Sequence, residues 1–159
     1  LQDGISRLIL NHSSNLDSTS DLIYGTIAFH PTDNNKLVFT LDTSTLPSNT
    51  QTAIDKIIDP EVNYPGNNLP LAMNGQRYLV VNPIPAGHSA FGGFTCAEND
   101  IIAYSNGAWS KVFDASENTS AHYVTNTNTG IQYKWTGSQW IDSYRGQYNN
   151  GYWKLELAP

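Results

Sequence analysis

The sequence predicts a mainly β protein: antiparallel hairpins and meanders forming a small sandwich or barrel-like sheet, with one short helix near residues 48–59. Three observations carry this. Short apolar runs alternate with polar residues and end in Pro, Asn, Asp or Gly, the punctuation of strands and turns. A glycine turn stands before a tryptophan-bearing stretch at Asn106-Gly107, Thr136-Gly137 and Asn150-Gly151. After Met73 the chain repeats a strand, strand, turn, strand pattern.

Taken in order, residues 1–20 start with the apolar "ISRLIL" and continue as the polar "NHSSNLDSTSD", which reads as an N-terminal arm or linker. Within 21–72, Ile23–Phe29 and Lys36–Asp42 read as a hairpin joined by "HPTDNN", whose Pro31, Asp33 and Asn34 suit a turn. Leu37, Phe39 and Leu41 then share a face. In "SNTQTAIDKIID", Ser48 or Asn49 can cap a helix that places Ile54, Ile57 and Ile58 on one stripe, and Pro60 stops it. "PEVNYPGNNLP" is too broken for regular structure and reads as a crossover, with a lobe boundary near 59–72.

Residues 73–159 form the repeat module. "RYLVVN", "DIIAYS" and "NGAWSKVF" are echoed by "HYVTN", "GIQYKW" and "TGSQWIDS", the second unit having a far shorter first connection. "NNGYWKLEL" repeats the Gly-then-Trp start and supplies a closing strand. Gly tolerates the positive φ of a tight hairpin, as Asn often does, so turn geometry accounts for the glycines. In "IQYKW", Ile131, Tyr133 and Trp135 alternate with Gln132 and Lys134, which puts the large residues on the core side. Burial of each aromatic stabilises by about 2–3 kcal/mol, so Trp109, Trp135 and Trp153 are assigned to packing. Trp140, Asp142 and Tyr144 share a face of a mixed strand. A ligand reading therefore gives stacking to Trp140, Tyr144 and Tyr148, and hydrogen bonds to sugar hydroxyls to Asp142 and Gln139.

Composition narrows the classes further. The 159 residues suit one domain or two small lobes, and only 14% are charged. A net charge of −6 with no basic cluster argues against nucleic acid. No apolar run reaches a membrane span, so no membrane insertion is expected. Cys96, the single cysteine, can form neither an internal disulfide nor a thiolate-rich metal site and reads as a small part-buried apolar residue. His12, His30, His88 and His122 have no metal-ligand spacing. "ENDI" and "DNN" carry oxygen ligands without the alternation of a calcium loop.

"GHSAFGG" places Phe91 where a nucleophile elbow requires glycine, so Ser89 is not read as a nucleophile. Pairs such as Asp114 with Glu117, or Asp142 with Glu156, arise freely among fourteen acids. The expectation is a protein that is not an enzyme, with no catalytic residue, cofactor or metal. Starting at Leu1 without Met, the chain also reads as a processed product or an excised piece.

The phrases "GTIAFHPTDNNKLVFTL", "DIIAYSNGAWSKVF" and "YKWTGSQWIDSY" resemble the small β units of virion structural proteins in tailed bacteriophages, above all tail-fibre and baseplate-associated proteins. That resemblance covers the hairpin and the C-terminal half and implies a non-enzymatic, often self-associating part of a particle. Its expected partners are other virion proteins and further copies of itself, a trimer among the possible forms, and it would reside in the virion or otherwise outside the cell. Host attachment through a surface glycan is the alternative, carried by the aromatic set above.

Overall fold

The computed structural model describes residues 4, 6–11, 22–144 and 153–156, with backbone alone for 10, 11 and 153–156. Its strands in chain order are β1 Arg7–Asn11, β2 Leu22–Phe29, β3 Leu37–Leu41, β4 Lys56–Ile58, β5 Tyr64–Pro65, β6 Asn68–Leu69 and β7 Arg77–Val80. They continue as β8 Ile101–Ser105, β9 Ala108–Phe113, β10 His122–Asn126, β11 Ile131–Trp135, β12 Trp140–Asp142 and β13 Trp153–Glu156. The protein is mainly β with antiparallel sheets, as its sequence predicts. Residues 1–48 with 144–159 form one compact unit, and residues 49–143 a second.

The first unit is a four-stranded sheet in the order β13-β1-β2-β3. The expected hairpin is β2–β3, with Phe29 opposite Leu37 at its turn end. In β2, Ile23, Gly25 and Ile27 are buried while their neighbours are half-exposed, the period of two that a sheet covered on one side imposes. Ile23 and Ile27 pack with Leu8, Phe39, Leu41 and Tyr144. At Gly25 an added Cβ would collide with the Phe39 ring and the Thr40 carbonyl, so only glycine lets that ring lie across the strand. Part of the region read as an arm, Arg7–Asn11, is an inner strand here. The "Gly-then-Trp" segment supplies β13, which pairs with β1 instead of prolonging the meander.

The second unit contains both meanders, β7-β8-β9 and β10-β11-β12. Asn106 and Gly107 have φ of 52° and 83°, the two positive values of the tightest hairpin turn, and join β8 to β9. The Pro-rich stretch 59–72 lies inside this unit, with Ile58 before it and Leu69 within it in one core cluster.

No helix forms at 48–59, and the helical elements among the described residues are two 3-10 turns, Thr43–Thr45 and Ser89–Phe91. Residues 49–58 instead run as an extended strap. Its Thr50 and Gln51 amides donate to the Tyr123 carbonyl, and the Ile54 amide donates to Thr125. Lys56–Ile58 then pairs in parallel with Tyr78–Val80. The three isoleucines fit this path because Ile54 and Ile57 enter one core and Ile58 another. Spacing that suits one helical stripe equally suits a strand between two apolar faces, and β-branched Thr and Ile favour the strand.

The sheet β4-β7-β8-β9 is therefore buried on both sides. Leu79, Ile101 and Phe113 face Val124 and Trp135 of the other meander. Tyr78, Val80, Ile102 and Trp109 face a layer of loops that contributes Leu69, Ile84, Phe91 and Cys96. β11 departs from simple alternation. Gln132 is buried like Trp135, donating Nε2–H to Asn49 Oδ1 and accepting from the Ser143 hydroxyl, so the face opposite the indole is tied down by polar contacts.

Candidate functional site

Two aromatic groups occupy opposite faces of the β7-β8-β9 meander. In the first, Trp135, Trp140 and Phe113 meet with ring centroids 5.1–5.7 Å apart, and His122 presents its edge to Phe113. Trp135 Nε1–H donates to the Asn118 carbonyl at 2.8 Å, and Trp140 Nε1–H to the Asn99 carbonyl at 2.9 Å. Both indoles thus fasten neighbouring loops to the core.

The acceptor loop of Trp140 is itself fixed by Asp100, whose side chain is fully buried. The Asp100 carboxylate accepts the Ala97 and Ala115 amides and lies 3.1 Å from Lys111 Nζ. Lys111 also contacts Asp114 at 2.8 Å. The Lys111 ammonium and the Ser116 hydroxyl together hold the Asp114 carboxyl down at about 2.

The sequence-derived ligand set divides accordingly. Trp140 is half-buried, with ring and N–H engaged as above. The backbone of Gln139 closes the turn with Thr136, while its side chain is exposed. Half-buried Asp142 stands opposite Tyr133 in the ladder. Tyr144 belongs to the first unit and packs on its core. Tyr148 lies outside the described residues.

The second group was not singled out by sequence reasoning. Trp109 is packed by Tyr78, Phe91 and Tyr104 at 5.2–5.6 Å, and His88 is edge-on to both Tyr64 and Phe91. Beside it lies a cavity of about 470 Å³ lined by Phe91, Phe94, Tyr104 and Trp109, with Gly92, Gly93 and Gly107 among the small residues between the rings. No charged side chain lines this cavity. Trp109 is only 8% exposed, yet no hydrogen bond joins its indole N–H to any described residue. The sequence signal was "FGGF" beside "YSNGAW": rings separated by residues without bulk leave room between them.

A neighbouring cavity of about 430 Å³ is lined by Asp55, Lys56, Met73, Gln76 and Tyr78. Burial, with the Asp55 charge adding to it, pushes the Tyr78 phenol up. Burial likewise raises the Cys96 thiol in the adjacent core, which keeps it protonated and unreactive. Among the described residues no group of three or more His, Cys, Asp or Glu is placed to hold a metal ion, and no helix is long and apolar enough to cross a membrane. The chemistry the Trp109 cavity offers is stacking and neutral hydrogen bonding. No protein-family model, curated protein or solved structure matches this chain.

Proposed function

We propose that the chain is a non-enzymatic structural module of a tailed-phage virion, a tail-fibre or baseplate part that acts through protein–protein contacts. The observation that carries this reading is Leu37, 54% exposed on strand β3 at the end of the β2–β3 hairpin. Among the described residues strand β3 is the edge of its sheet, so an exposed apolar side chain lies on an edge strand. An exposed edge of this kind is a template for association. The phage-like phrases supply the particle, and the low charged fraction suits a surface that meets neighbours.

Sedimentation velocity on the full chain tests the contact. The wild type should self-associate as concentration rises, and Leu37→Glu should remain monomeric while retaining its circular-dichroism spectrum. A wild type that stays monomeric throughout overturns self-association through this edge. An antibody against the chain should label purified phage particles, and unlabelled particles overturn the virion assignment.

A further inference from the structure

We propose that the cavity beside Trp109 is a binding site for one neutral pyranose ring. This assignment is independent of the assembly reading and of the Trp140 set. Its first ground is an available donor: unlike Trp135 and Trp140, Trp109 gives its indole N–H to no described residue, and its nitrogen is not sealed from solvent. An indole N–H that reaches solvent on a residue lining a cavity is free to donate to a ligand oxygen in place of water.

The second ground is the lining. Phe91, Phe94, Tyr104 and Trp109 supply ring surface, and the only side-chain polar atoms are the indole N–H and the Tyr104 hydroxyl. With no lining charge to neutralise a phosphate, carboxylate or ammonium, the site favours an uncharged ligand with an apolar face and peripheral oxygens. A pyranose presents C–H bonds on its faces and hydroxyls at its rim. The third ground is shape: the space lies between the turn that ends in Gly92 and Gly93 and the Asn106-Gly107 turn. A volume of about 470 Å³ bounded by two turns suits a compact ring, whereas a polyproline segment needs a groove several residues long.

The test is a titration of the ¹⁵N-labelled full chain with neutral methyl hexopyranosides and with a proline-rich peptide, following the indole N–H resonances. At least one methyl glycoside at millimolar concentration should shift the Trp109 resonance saturably and leave those of Trp135 and Trp140 in place. Ala108→Arg, which puts a long side chain at an exposed rim position, and Phe94→Ala should each weaken that binding by about tenfold or more with an unchanged melting temperature for the former. The proposal is overturned if every glycoside leaves Trp109 unmoved, or if the proline-rich peptide alone moves it. It is equally overturned if Ala108→Arg folds normally and binds as well as wild type. The wild-type titration decides the matter even if a variant fails to fold.

Discussion

The two aromatic groups flanking the β7-β8-β9 meander are built from similar residues and end in different states. On the face shared with β10-β11-β12, each indole N–H has a loop carbonyl, and the rings interlock with Phe113. On the opposite face Trp109 has three ring neighbours, one more than either of those indoles, and no acceptor among the described residues, and the layer above it includes glycine-bearing loops. The difference lies in the cover. A second sheet brings regular ladders and long side chains that fill the space to interior density, whereas a loop with Gly92 and Gly93 leaves gaps. A ring therefore becomes structural or available according to what is folded over it.

Removing the sealed ring should have the largest effect. Trp135→Ala is expected to destabilise the second unit by about 3–5 kcal/mol in urea unfolding, since it opens a cavity and strands the Asn118 carbonyl. Asp100→Ala should cost about 3 kcal/mol, because two amides and Lys111 lose their buried partner and the loop accepting from Trp140 loosens. A finer contrast comes from tryptophan to phenylalanine changes. Trp135→Phe should cost about 1 kcal/mol more than Trp109→Phe, since only the former breaks a hydrogen bond; equal costs would erase the distinction between the two faces.

The smallest effect concerns pH. Asp114, held down at about 2 by Lys111 and Ser116, has a depressed folded value, so the unfolded chain binds the proton first as acid is added. Its contribution is fully present above the ordinary carboxylate value of 3.8 and is lost as pH falls towards about 2. Asp33, lowered by the Asn35 amide and Lys36, and Asp42, lowered by Ser44, act in the same direction. Urea midpoints should rise with pH across that window, and Asp114→Asn should flatten part of the rise.

The strands were legible wherever local pattern and burial agree. In β2 the alternation is a direct print of a sheet covered on one side, and Asn106-Gly107 specifies its turn by steric need alone. The strap at 49–58 was not legible, because Ile54, Ile57 and Ile58 satisfy helix and strand patterns alike. What decides between them is hydrogen bonding to Tyr123, Thr125 and Arg77, residues distant in sequence. The same limit applied to the tryptophans. Thr136-Gly137 and Asn106-Gly107 mark Trp140 and Trp109 as equivalent, but the acceptor of one and the vacancy beside the other depend on loops that no local periodicity describes. Of the sites, ring content could be read in advance, while access to the rings could not.

The pairing of Arg7–Asn11 with Trp153–Glu156 has a consequence for synthesis. One flank of the first of these strands waits until residues 153–156 have left the ribosome, on the order of ten seconds later at ordinary elongation rates. During that interval the nascent segment offers unpaired amides and carbonyls to whatever lies closest, and on a crowded polysome that is another copy still being made.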